Sequence, residues 1–289
     1  MTLFDCYIAV DWSAANQKTT GADSIWVAAR WSEDGATRNL IENIGTRSEA
    51  MAFLRGLFQT GLEKGHRILA GFDFAFGYPA GLSSALAGQP GWRAMWEKLA
   101  ADIQDSDDNR SNRFEVASAY NQAMGVERFW GKPHQQKDLY TALPATKPFG
   151  GGILDKRFVE TRVTGAKSVF QMAYNGAVGS QTMLGIARLE ALRTEFSAKV
   201  WPFETQFADA LPPGPSVVLA EIYPTLALPK PPEGEIKDKA QVRAMTKLLA
   251  QADGAGELQA MLSPPPDSTE ADIARMLREE GSIIGAGIL

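Results

Sequence analysis

Four acids stand where a folded chain could use them together: Asp11, Asp73, Glu221 and Asp272. Asp11 closes the apolar run Tyr7-Ile8-Ala9-Val10, and Asp73 closes the run from Arg67 to Phe72. Glu221 comes near the end of a third run, Ser216 to Ile222, and Asp272 falls early in the last helical segment. The end of a core strand is a rigid mount, and its last side chain points into the crevice where α/β sheets hold ligands. Two carboxylates about 4 Å apart repel by about 4 kcal/mol at an effective dielectric near 20, a large share of a net stability of about 5–15 kcal/mol. Such a group needs a proton, a lysine or a cation. With 2 histidines (His66 and His134) and 1 cysteine (Cys6) in the chain, there are too few of both for a clustered Cys/His zinc site. A metal here would be held by oxygen, which points to Mg²⁺ or Mn²⁺. Sites of that kind serve in-line phosphoryl displacement. Each acid alone has a plainer use as a turn former or helix cap; Asp11 and Asp73 taken together are more specific.

A second set of residues suits an anion. Gly176, Gly179 and Ser180 precede a helix expected over residues 181–196. Exposed N–H groups and the helix dipole favour a phosphate there, with the Ser180 hydroxyl and the Lys167 charge to help. The plainer reading is a tight glycine entry capped by Ser180. The spacing is neither a Walker A loop nor a dinucleotide fingerprint. Between residues 110 and 162, Arg110, Arg113, Lys132, Lys137, Lys147, Lys156, Arg157 and Arg162 interleave with Phe114, Tyr120 and Trp130. Charge with aromatic faces can hold a nucleotide or a single strand; a solvated face over a few anchors is the alternative. The whole chain carries 29 Lys and Arg against 34 Asp and Glu, net −5, so a strongly basic nucleic-acid footprint is absent.

These residues must be positioned by elements that the hydrophobic pattern outlines. Strands are expected at residues 7–10, 24–31, 39–44 and 67–73, with a hairpin turn at Asp34-Gly35. Ala50, Phe53, Leu54, Leu57 and Phe58 have helical spacing over 48–64, with Ser48 as cap and Gly65 as stop. Residues 80 to about 165 hold Trp92, Trp96 and Trp130, an acidic stretch at 102–108 and a triple glycine at 150–152. They read as an inserted cap over one sheet face, with a helix near 91–104. Residues 200–203 make an edge strand at best because of Pro202, and 216–222 make a core strand. Helices at 237–252 and 268–280, the latter capped by Asp267, close the chain. The 289 residues suit one domain with a large insertion. No apolar run reaches membrane-spanning length and the N-terminus lacks a charged region followed by an apolar one, so a cytoplasmic location without membrane partners is the expectation.

The order of these pieces resembles the ribonuclease H-like superfamily. More narrowly, the chain is similar to an uncharacterised bacterial family of predicted nucleases with that fold. The residues that carry the likeness are Val10-Asp11-Trp12-Ser13, Gly71 to Pro79, Ala220-Glu221-Ile222-Tyr223-Pro224 and Glu270-Ala271-Asp272-Ile273-Ala274. Lys167 to Gln171, followed by Gly176 to Gln181, is similar to a branch named beside cofactor biosynthesis. The resemblance implies a mixed five-stranded sheet with helices on both faces. It implies metal ligands at Asp11, Asp73 and Asp272, with Glu221 completing the catalytic set. Three residues before Asp272 stands Thr269 where such nucleases carry a further acid, so Asp267, Glu270 or Glu221 would have to substitute. The implied activity is Mg²⁺- or Mn²⁺-dependent phosphoester hydrolysis on nucleic acid or nucleotide. The alternatives are a nucleotide- or pterin-cofactor-binding protein or enzyme of molybdopterin or cobalamin biosynthesis, and a non-catalytic protein of the same fold.

Overall fold

The computed structural model describes residues 2–136, 138–150, 152–174 and 176–289. Lys137 of the basic stretch and Gly151 of the triple glycine lie outside the described residues. The chain forms a mixed α/β structure around a six-stranded mixed sheet. Strand β1 (Cys6–Asp11) pairs antiparallel with β2 (Ile25–Glu33), which pairs antiparallel with β3 (Ala36–Ile44). The β2–β3 turn places Asp34 at φ 51° and Gly35 at φ 74°, the left-handed pair that a two-residue hairpin requires. Helix α1 (Arg47–Glu63) returns the chain to β4 (Arg67–Phe72), parallel to β1. Strand β6 (Ser216–Glu221) lies parallel on the far side of β4.

The sheet has one strand more than the five implied by the resemblance. The addition is β5, only Lys199–Val200, paired parallel with β6 at the edge. Trp201 N–H still donates to Leu219 O, but Pro202 has no N–H to continue the ladder.

Side chains alternate between two cores. From β1, Ile8 and Val10 enter one core while Tyr7 and Ala9 enter the other. The first core receives α1, α3 (Trp92–Asp102), α4 (Arg113–Met124) and α5 (Gly179–Glu195). Short helix α2 (Leu82–Ala87) adds Leu82. The tryptophan-bearing stretch expected to cap the sheet therefore shares the sheet's apolar core through Trp92, Met95, Trp96 and Leu99. The second core receives α6 (Lys237–Ala255) and α7 (Leu258–Met261), together with Met276 and Ile284 beyond α8 (Glu270–Arg275). No helix among the described residues is long and apolar enough to cross a membrane.

Two helix caps differ from expectation. Helix α1 is capped by Thr46, not Ser48: Thr46 Oγ1 accepts from Glu49 N–H at 3.1 Å, and Glu49 Oε2 accepts from Thr46 N–H at 3.2 Å. This reciprocal capping box satisfies two orphan donors where a lone serine would satisfy one. The same device replaces Asp267 with Thr269 at α8, where the reciprocating acid is Asp272.

Candidate active site

The β1–β4 register places Val10 beside Phe72. One residue further, Asp11 and Asp73 stand side by side at the ends of adjacent parallel strands, whose backbones run about 4.8 Å apart. Asp73 N–H donates to Val10 O at 3.2 Å, and Asp73 Oδ1 accepts from Trp12 N–H at 2.7 Å. The pair opens into a cleft of about 750 Å³. Helix α6 delivers Lys237 and Asp238 to the same cleft, and the β1–β2 loop delivers Asp23, whose N–H donates to Asp238 Oδ2 at 3.1 Å.

Crowding shows in the acids themselves. Burial, then the neighbouring Asp73 and Asp238 carboxylates, pushes Asp11 well above the usual carboxylate range, against a partial offset from Lys237. Burial likewise pushes Asp73 up to about 7; the Trp12 N–H opposes this, and Asp238 and Glu221 add repulsion. A carboxyl that keeps its proton in the folded state to about pH 7, but loses it near pH 4 when unfolded, stabilises the fold fully only below about pH 4. Stability in cation-free buffer is therefore expected to fall between about pH 4 and pH 7. The contribution of Asp73 is at most about 4 kcal/mol. Urea unfolding of wild type and Asp73→Asn across that range checks this; parallel curves for the two proteins would refute it.

The other two acids lie elsewhere. Glu221 is level with Phe72 in the β4–β6 register. Its parity on the strand is that of Val217 and Leu219, which enter the α5-side core, whereas Asp11 shares the α6-side parity of Tyr7 and Ala9. The Glu221 carboxylate is buried in a bidentate pair with Arg157, 2.7 Å to each oxygen, and accepts from Phe76 N–H at 3.0 Å. It has no place in the cleft lining. Asp272 is also absent from the cleft. It caps α8 through Thr269 and pairs with Arg275, and these contacts hold its carboxyl down at about 2. The acid that a helix does bring toward the strand ends is Asp238 of α6, not Asp272 of α8. Nothing local marks it, since an acid in a first helical turn is ordinary.

Opposite the acids, the cleft wall carries Lys167, Gly176, Ser180 and Gln181. Gly176 has φ 75°, and the Lys167 stem packs over it; a Cβ there would meet Lys167 Cε at 3.1 Å. Gly179 is away from the cleft, packed so closely that a Cβ would lie 2.6 Å from Gln171 O and from Val169 O. Ser180 is not the cap. Val178 holds that position without a side-chain bond, while Ser180 Oγ donates to Met172 O at 2.6 Å and accepts from Arg113 Nε at 3.1 Å. Gly179 N–H donates to Gln171 O at 2.9 Å, so the α5 N–H groups left at the cleft without a side-chain cap are those of Ser180 and Gln181. Gln181 Nε2 donates to Trp12 O at 2.6 Å, joining this wall to the acid-bearing strand.

Comparisons with protein-family models, with curated proteins and with solved structures found no match to the chain. Of the basic stretch, Arg113 lines the cleft. Arg157 is committed to Glu160 and Glu221, Lys147 to Asp155 and Arg110 to Asp108, and Lys156 donates to Ala166 O. Phe114 reaches the cleft, while Tyr120 is core. Nothing in the spacing of the chain marks Asp23, Asp238 or Lys237 as cleft residues. Tyr223 and Pro224, two and three residues after Glu221, line the cleft in its stead.

Among the described residues, no three His, Cys, Asp or Glu side chains are grouped to enclose a metal ion. Mg²⁺ does not require such a cage. It retains waters and binds through one or two carboxylates together with substrate phosphate. A crowded pair of carboxylates facing a cationic wall has the donor chemistry for that mode.

Proposed function

We propose that the cleft is the active site of a divalent-cation-dependent phosphoester hydrolase on a ribonuclease H-like fold. The observation that carries this reading is the placement of Asp11 and Asp73 on neighbouring strand ends, raised above the usual carboxylate range, across one cleft from Lys167 and the start of α5. The β3-β2-β1 meander, the parallel β4 after α1 and the parallel β6 beyond it support the fold, because they follow the order on which the resemblance rests.

Asp11 and Asp73 would hold Mg²⁺ or Mn²⁺. Such an ion, when bound, supplies Lewis acidity toward phosphoryl oxygen and activates water near neutral pH. Lys167 neutralises charge on the phosphate, and the N–H groups of Ser180 and Gln181 at the start of α5 orient its oxygens. Trp12 N–H fixes one oxygen of Asp73, leaving the other to the cleft. Gln181 holds the two walls in register through Trp12 O.

The test has two arms. Bis(p-nitrophenyl) phosphate should be hydrolysed with Mn²⁺ or Mg²⁺ present, and chelation by EDTA should stop the reaction. Titration calorimetry should show Mn²⁺ binding to wild type that the double variant Asp11→Asn/Asp73→Asn loses. Equal Mn²⁺ affinity in the two proteins would overturn the proposal.

A further inference from the structure

Beside the cleft lies a second cavity of about 280 Å³, and the two share Arg113 and Phe114. Asn16, Gln135, Gln136 and Tyr140 supply most of its remaining lining, and no carboxylate lines it among the described residues. The Phe114 and Tyr140 rings are stacked, 6.0 Å between centroids and 29° between planes. Arg113 lies 4.6 Å over the Phe114 ring. It is fixed by Nη1 bonds to Asn16 Oδ1 at 3.1 Å and Ser111 Oγ at 2.7 Å, and by its Nε bond to Ser180. With its oxygen engaged by Arg113, Asn16 has its amide N–H groups left to donate. Gln136 Oε1 is buried and has no hydrogen-bond partner among the described residues. A buried acceptor without a donor is costly until something supplies one.

From this arrangement we infer that the side cavity takes the heterocyclic base of a mononucleotide whose phosphate lies in the main cleft. The inference rests on the phosphoester reading of that cleft and specifies its substrate class. A base is flat and stacks on aromatic faces whatever its identity. Its edge offers adjacent donors and acceptors of the kind that Asn and Gln carboxamides read. Inorganic phosphate has no flat face for the aromatic rings, and a sugar alone presents no planar edge of adjacent donors and acceptors to the carboxamides. The cavity lies at the lower bound of ligand pockets, room for one base beside the larger space for its phosphate. Arg113 stands in the shared wall, where it meets the ligand between base and phosphate.

Calorimetry with Mg²⁺ present would compare AMP, GMP, CMP and UMP with ribose 5-phosphate. At least one nucleotide should bind tenfold or more tightly than ribose 5-phosphate. Gln136→Leu should remove most of that advantage and leave ribose 5-phosphate affinity unchanged. Gln136 lies in a short surface turn (His134–Gln136) away from the acids, so the variant should fold; Phe114→Leu is the second, independent variant. Nucleotides binding no better than ribose 5-phosphate, or an advantage that survives both variants, would overturn the inference. So would a short oligonucleotide binding far more tightly than every mononucleotide. The matching nucleoside, without phosphate or cation, should still bind weakly. That arm does not depend on Asp11 or Asp73, so retained nucleoside binding with no Mn²⁺ site would overturn the hydrolase reading alone.

Discussion

Asp73→Asn should give a protein that is inactive yet more stable than wild type above about pH 7. Asparagine keeps an oxygen to accept the Trp12 N–H bond, so strand-end geometry is retained. It removes one of the charges that burial and neighbouring carboxylates oppose, and relief of that repulsion should raise stability by about 1–3 kcal/mol. The same change removes a cation ligand. The hydrolytic kcat/KM should fall by about a thousandfold or more, which corresponds to about 4 kcal/mol of transition-state stabilisation. Opposite signs on stability and activity mark a residue kept at a cost to the fold for the sake of its chemistry. Asp11→Asn should behave alike. Asp272→Asn should leave kcat/KM near wild type, because that carboxylate serves the cap of α8. Chemical unfolding beside steady-state kinetics on the three variants decides the matter: an active Asp73→Asn enzyme, or an Asp272→Asn enzyme as impaired as Asp73→Asn, would refute it.

Arg157→Met should be the most damaging single substitution outside the cleft, costing about 3–5 kcal/mol. Arg157 is buried and serves two buried acids. Its Nε donates to Glu160 at 2.8 Å, and its two terminal nitrogens donate to the two oxygens of Glu221 at 2.7 Å. It also donates to Glu280 O at 2.9 Å. Methionine fills much of the volume and leaves Glu160 and Glu221 buried without their cation. Arg157→Lys should rescue little, because an ammonium cannot match the fork to both acids. Converting Glu160 and Glu221 to glutamine in the Arg157→Met background should recover much of the loss. A loss below about 1 kcal/mol in urea titration would show that the pair is solvated or replaceable.

Much of the sheet was legible from its residues. β1 and β4 are short apolar runs that end in aspartate, and the Asp34-Gly35 turn fixes the β2–β3 pairing. The helical spacing of Ala50, Leu54 and Phe58 is the buried face of α1. Side-by-side placement of Asp11 and Asp73 needs only that β1 and β4 be neighbours in parallel register. The position of Glu221 was not legible, although it too is at a strand end. Which face a strand-end residue takes depends on its parity, and parity matters only once the register with β4 is known. Asp272 misled for another reason: Thr269-x-x-Asp272 is a capping box, a local use that binds the acid where it stands. Asp238 and Lys237 come into the cleft through the docking of α6, a long-range matter on which spacing in the chain is silent.

The Arg157 cluster also limits which parts of the chain can move. It fastens the segment around residues 157–160 to the end of β6, so lifting that segment as a lid would expose unpaired charges. At about 3–5 kcal/mol, fewer than roughly one molecule in a hundred would be open at any moment, with tenfold fewer for each further 1.4 kcal/mol. The stretch beside the acids is fastened too: Val169, Phe170 and Met172 are buried in the core, and Trp130 N–H donates to Phe170 O at 3.0 Å. Admission and release should therefore proceed without displacement of either segment.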